Sequence, residues 1–211
     1  HREGIVTSAS FSVVGEAFDH GVETCDRCPD LDIGLQLTLV VERPLAPPES
    51  LGTLVGPEGR FLDDHRALIG RVLTGRVSGA AVYCELEAQH AKLVSAGIRP
   101  SHVDAHQHVH LLPVIWPAIV ALAIEHDIRW VRVPGFHPVA AGASSGRVIL
   151  MRSGLNVLQR MRRSLVSPLR TPDWTPALGH SGHLTTDRIL EGLRASRHCG
   201  VMELVAHPGV A

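Results

Sequence analysis

The chain has 211 residues, 45% of them hydrophobic, with 20 Lys and Arg against 21 Asp and Glu and a formal charge of −1, which describes about one globular domain with enough apolar side chains for a sizeable core. The balance of charge excludes a global basic field for nucleic acid. No uninterrupted apolar run approaches the ~18 residues of a membrane span, and His1-Arg2-Glu3-Gly4 does not read as a signal peptide, so a cytoplasmic location is the expectation.

Strand and helix signals alternate along the chain. Ile5 to Val14 is β-branched and apolar and reads as a strand, Glu16 to Cys25 as a helix, and Asp32 to Val41 as a second strand whose Ile33, Leu35, Leu37 and Leu39 share one face. Arg43 to Arg60 holds Pro44, Pro47, Pro48 and Pro57 and reads as a long irregular loop, a kind of segment that is usually functional in a compact domain. Helices are expected at Asp64 to Leu73 and at Ala80 to Ala96, the second closed by Gly97 just past its end. Ile98 to Val103 reads as a turn leading into a His-rich strand, Val114 to His126 as a helix opened by Pro113, and Ile128 to Val133 as another strand. From Pro134 to Leu178 only Leu155 to Leu165 has a helical pattern. Thr185-Thr186-Asp187 caps a last helix through His198, and Val201 to Ala206 is a final strand running into His207-Pro208-Gly209. The alternation argues for a mainly parallel α/β architecture in a single domain over 1–211, with barrel-like closure favoured over an open sheet.

The 4 cysteines fit a reducing compartment. Cys25 and Cys28 form one C-x-x-C without the second pair of a zinc ribbon or the preceding strand of a thioredoxin motif, and Cys84 and Cys199 stand alone, so all are expected to be free thiols. Arg160, Arg162, Arg163 and Arg170 make a local basic stretch, read as a solvated helix face in preference to a phosphate or lipid-headgroup patch.

The densest chemistry lies in Asp104-Ala105-His106-Gln107-His108-Val109-His110. In an extended segment alternate side chains share a face, so Asp104, His106, His108 and His110 would point the same way. Imidazole is the commonest protein ligand for divalent metals, and a carboxylate beside it either ligates or orients a histidine. A solvated His-rich turn is the alternative. Same-face residues lie ~6.5–7 Å apart along a strand, too far for three rings to reach one ion unless the backbone turns. The cluster sits where a strand ends and a helix begins, which is where parallel α/β folds collect catalytic groups.

Taken in order, Gly4 to Ser10 (GIVTSAS), Asp32 to Leu45 (DIGLQLTLVVERPL), Glu87 to Gln89 (EAQ), Gly97 to His110 (GIRPSHVDAHQHVH), Ser181 to Thr185 (SGHLT) and Glu203 to Gly209 (ELVAHPG) resemble the YdjC-like carbohydrate deacetylases nearly end to end. The ERPLAPP loop is similar to the hopanoid-biosynthesis-associated branch. The resemblance implies a distorted (β/α) barrel related to polysaccharide deacetylases, one divalent metal ion, magnesium or zinc, and hydrolytic removal of an acetyl group from an N-acetylated sugar. The expected partners are that sugar, as oligosaccharide or glycolipid, and at most a second copy of the chain in a homodimer.

Residue by residue, the carry-over has gaps. The family's first strand bears Asp-Asp-Phe-Gly, whose carboxylates serve the metal and the proton transfers; this chain starts just after that point, so it is expected to lack the first strand and about two dozen residues at its front, and to stop short of its relatives at its end. The family's Gly-Leu-His-Leu, source of one metal-ligand histidine, reads Gly34-Leu35-Gln36-Leu37 here, while the first histidine of Asp-x-His-x-His-x-His matches His106. An amide oxygen binds hard cations such as Mg²⁺ but replaces imidazole poorly on Zn²⁺. Gln36 therefore leaves three readings: a harder ion, recruitment of His108 as substitute ligand, or a catalytically weakened relative that still binds sugar.

An intact site of this kind combines a metal that polarises the acetyl carbonyl and acidifies water with a carboxylate base and a general acid for the leaving amine. His207, at the end of the Val201 to Ala206 segment, is the candidate acid, with a turn histidine bonded to backbone as the alternative. Asp104 is read as orienting His106 in preference to ligating the metal. His108 and His110 line the sugar cleft or are structural, and Arg132 contacts substrate or makes a salt bridge to a core carboxylate. Trp130 and Trp174 are stacking candidates for a sugar ring, against core packing. Two function classes stay open, a metal-dependent deacetylase and a non-catalytic sugar-binding protein; a phosphoesterase built on the His-x-His pair would want more carboxylates at strand ends than the chain offers.

Overall fold

The structure, a computed structural model, describes residues 4–132, 169–173, 175, 185–195, 198 and 200–206. The chain divides into two compact units, His1–Val131 and Arg132–Ala211. In the first, β1 (Ser8–Phe11), β2 (Asp32–Leu37), β3 (His102–Ala105) and β4 (Trp130–Val131) form one sheet in the order β1-β2-β3-β4, with every neighbouring pair parallel. A strictly sequential order is that of a (β/α) barrel wall, whereas an open doubly wound sheet reverses at a switch point. The crossovers carry α1 (Phe18–Asp26), then α2 (Pro48–Leu51), α3 (His65–Leu73) and α4 (Gly79–Ser95), then α5 (Ile115–Glu125). The parallel α/β architecture expected from the alternation of elements is the one observed.

One face of the sheet is apolar throughout. The register aligns Phe11 with Leu35, Leu35 with Val103 and Val103 with Val131, and the last three are fully buried. Helices α4 and α5 pack on each other, and Val82, Leu86, Leu93, Ile115, Ile119 and Leu122 lose all exposure. Each such side chain contributes roughly 1.5–3 kcal/mol. Local signals set the helix ends: the Asp64 carboxylate accepts from Ala67 N–H at 2.8 Å at the start of α3, a bond that also holds its pKa below the ordinary value. Gly97, at φ 83°, takes the left-handed position after α4.

Several elements differ in extent from expectation. β1 covers only Ser8–Phe11 of the Ile5 to Val14 span, and β2 stops at Leu37, with Val40 pairing with Leu62 in an isolated bridge. The Arg43 to Arg60 loop is partly ordered into α2 and a 3₁₀ turn (Gly52–Leu54), which bury Leu51 and Leu54. In the second unit, α6 (Thr186–Ala195) follows Thr185 as expected, but Val201 to Ala206 is no strand: only Met202 takes part in a bridge. The expected helix Leu155 to Leu165 lies outside the described residues. Cys25, Cys28 and Cys84 are free thiols. Among the described residues no helix is long and apolar enough to cross a membrane.

Candidate active site

The polar face of the sheet is laid down by register. Gln36 pairs with Asp104, so both side chains leave the sheet on one side, and Ser10 lies one strand over, opposite Gly34. Asp104 is buried, and Ser10 Oγ donates to its Oδ2 at 2.7 Å. His102, on the same face, has Nε2 3.4 Å from Ser10 Oγ and Nδ1 2.9 Å from Ser101 Oγ. Its ring fills the space over Gly34, where a Cβ would come within 2.2–2.4 Å of three ring atoms. Gly34 is thus required for room.

The extended reading of the histidine run fails after Ala105. His106–Leu111 is a 3₁₀ segment in which Gln107 (φ 53°) and His108 (φ 56°) are both left-handed. Such residues cost on the order of 1–3 kcal/mol each and concentrate at functional sites. The kink breaks the alternation that would have aligned the four side chains. Ala105 is still extended, so Asp104 and His106 keep a common face, whereas His108 and His110 leave it. His110 is fully buried, its ring centroid 5.8 Å from that of His108 and 6.5 Å from Trp116, which is the structural alternative for this residue.

Half-buried Gln36 and His106 therefore stand at the ends of adjacent strands. One amide oxygen and one imidazole fit a divalent ion gripped from two strands, with the remaining positions open to water, substrate or another ligand. Among the described residues no three His, Cys, Asp or Glu ligand atoms converge here; the group that does converge is Glu87, His90 and His126.

Two residues to which the sequence reading gave no role, Gln89 having appeared only within the EAQ segment, brace the strand ends. Glu85 and Gln89, one turn apart on α4, have no exposure. Gln89 accepts from Thr38 N–H at 3.0 Å, and its Nε2 donates to Thr38 C=O at 2.6 Å and to Glu85 Oε1 at 2.7 Å. Glu85 in turn accepts from Leu45 N–H at 3.0 Å and Ala46 N–H at 2.9 Å. The pair ties the residue after β2 and the ERPLAPP loop to one helix. Burial pushes the Glu85 carboxyl's pKa up, against the bonds from Gln89, Ala46 and Leu45 that favour its charged form. The signal available in the sequence was a polar i, i+4 pair inside the apolar stripe of Val82, Leu86 and Leu93.

In the second unit Arg132 places Nε and Nη2 each 2.6 Å from Glu203 Oε1, the salt-bridge alternative for that residue. Trp130 is half-buried in β4. His207 and Trp174 lie outside the described residues.

A family model described as YdjC-like protein matches residues 1–211. The chain belongs to the YdjC-like family. A protein named carbohydrate deacetylase from Brevibacillus brevis is 35% identical to it over 147 residues, 70% of this chain and 54% of that protein. One of the same name from Mus musculus is 30% identical over 220 residues, 98% of this chain and 70% of that protein, and a chitooligosaccharide deacetylase from Yersinia enterocolitica is 28% identical over 210 residues, covering 98% and 72%. The matched part of this YdjC-like chain thus spans 54% of the length of the Brevibacillus relative. The crystal structure of a protein from Enterococcus faecalis V583, provisionally assigned to cellobiose-phosphate cleavage, superposes with a TM-score of 0.78 at 25% identity, over 100% of this chain and 73% of that one. That likeness agrees with the distorted barrel the sequence resemblance implied.

Proposed function

We propose that the protein carrying this chain is a metal-dependent hydrolase that removes an acetyl group from an N-acetylated sugar. One observation supports the reading above the others: in a YdjC-like chain, His106 follows a buried, hydrogen-bonded Asp104 at the end of β3, which is in register with Gln36 on β2. Gln36 and His106 would hold one divalent ion, magnesium or zinc. When bound, that ion supplies a Lewis acid for the acetyl carbonyl and for a water molecule. Asp104, fixed by Ser10, keeps His106 oriented. His207 gives its proton to the sugar amine as the C–N bond breaks. Glu85 and Gln89 hold the loop at Leu45 and Ala46 beside the strand end, where it forms one wall of the sugar site. The proposed compartment is the cytoplasm.

Gln36 favours a second reading, a glycan-binding relative with weakened catalysis, because an amide is the poorer ligand for zinc. Acetate release from N-acetylglucosamine oligomers, assayed with Mg²⁺, Zn²⁺ and Co²⁺ beside glycan binding, separates the two. Metal-dependent release that falls by about 100-fold or more in His106→Ala is expected. Binding without release supports the second reading, and neither activity refutes both.

A further inference from the structure

Glu87 and His90 lie on α4, and His126 caps the end of α5. Their ligand atoms all lie within 4.8 Å of one another. His126 Nε2 is 2.7 Å from Glu87 Oε1, and the His90 and His126 rings stack with centroids 3.8 Å apart. Tyr83 Oη contacts Glu87 Oε1 at 2.9 Å and also Glu125 Oε2.

Two features of this cluster call for a cation. A phenol has one proton, so Tyr83 cannot donate to Glu87 and Glu125 together, and with both carboxylates ionised one contact sets lone pairs against lone pairs. The C-terminal end of α5 adds its own negative potential. His90 adds a second imidazole nitrogen to the cluster, and imidazole is the commonest protein ligand for divalent metals.

We infer that Glu87, His90 and His126 form a second metal site, taking one divalent ion of the zinc class with water completing its coordination. Two imidazole nitrogens and one carboxylate oxygen suit zinc and its transition-metal neighbours, not magnesium. Bonds of about 2.0–2.1 Å in a tetrahedral shell set ligand atoms about 3.3 Å apart. The His126–Glu87 contact must then open slightly and give up its proton, and the His126 ring must turn out of its stack with His90, because an ion held by a ring nitrogen lies in the plane of that ring; both the His126 and Glu87 side chains have room to move, being 27% and 32% exposed. The site is remote from His106. Helix α5 runs 11 residues away from the strand-end segment, about 16 Å at 1.5 Å per residue, and His126 precedes β4 on the face of the sheet where strands begin. In barrels that face serves stability, so the ion would clamp α4 to α5. The inference does not rest on the deacetylase reading.

The test titrates the purified protein with Zn²⁺ and Co²⁺. One bound equivalent that survives His106→Ala is expected, with tetrahedral Co²⁺ absorption bands. At an ion concentration 100 times Kd the unfolding temperature should rise by about 5–11 °C. In His126→Asn and in Glu87→Gln, both substitutions of partly exposed side chains, the affinity for that equivalent should fall about 100-fold or more and the thermal rise should vanish, with circular dichroism showing the fold retained. Absence of the equivalent in His106→Ala, or unchanged affinity in both cluster variants, overturns the proposal.

Discussion

Replacing Gly34 by Ala should destabilise the wild-type protein and stabilise the His102→Ala protein. A Cβ on Gly34 would meet His102 Nε2 at 2.2 Å where ordinary contact begins at 3.4 Å, so the ring must withdraw by the difference, 1.2 Å. Overpacking of this kind costs about 1–3 kcal/mol. The same movement loosens the His102 contacts to Ser101 Oγ at 2.9 Å and Ser10 Oγ at 3.4 Å. Against it stands the gain of about 0.5–1 kcal/mol from removing a glycine from a strand. The expected outcome is a net loss of up to about 2.5 kcal/mol in wild type, a gain of about 0.5–1 kcal/mol in His102→Ala, and a coupling energy of about 1–3 kcal/mol. Urea unfolding of the four proteins of the cycle measures it. Equal effects of Gly34→Ala in both backgrounds would refute the argument, because the only contact it invokes is the ring.

Glu85→Ala should cost about 3–5 kcal/mol, since it strands the Leu45 and Ala46 N–H groups and the Gln89 amide, whereas Glu85→Gln keeps an acceptor and should cost about 1–3 kcal/mol; denaturant midpoints that rank the two the other way contradict the bracing role. Tyr83, the single tyrosine, has its phenol pKa raised above the ordinary value, first by the bond to Glu125 and then by burial and Glu87. A raised folded pKa contributes stability that is complete below the unfolded value near about 10 and is lost as pH rises through the folded value. An ultraviolet alkaline titration should show a late midpoint that Glu125→Gln brings down, and an unmoved midpoint would dissociate the phenol from that carboxylate. Gln36→His, made in the His126→Asn background to silence the second site, should tighten Zn²⁺ binding by at least about tenfold; calorimetry returning equal affinities would put Gln36 away from the ion.

What the sequence by itself determined is what depends on near neighbours. Gly97 after an apolar helical pattern predicted the end of α4, because a cap acts over a single turn. The alternation of Leu35 and Leu37 marked the buried side of β2, and the adjacency of Asp104 and His106 located the candidate chemistry at a strand end. The tertiary structure decided whatever joins distant residues. Alternation cannot display a left-handed pair, so the turn at Gln107 and His108 that parts His106 from His108 and His110 was not visible; its backbone cost is borne where His110 and Val109 are buried. Glu85 and Gln89 owe their role to partners 39 and 51 positions away. Likewise Glu87 and His90 acquire His126 only when α4 packs on α5. Those contacts follow from burying apolar faces of separate elements against one another, a free energy that no window of neighbouring residues contains.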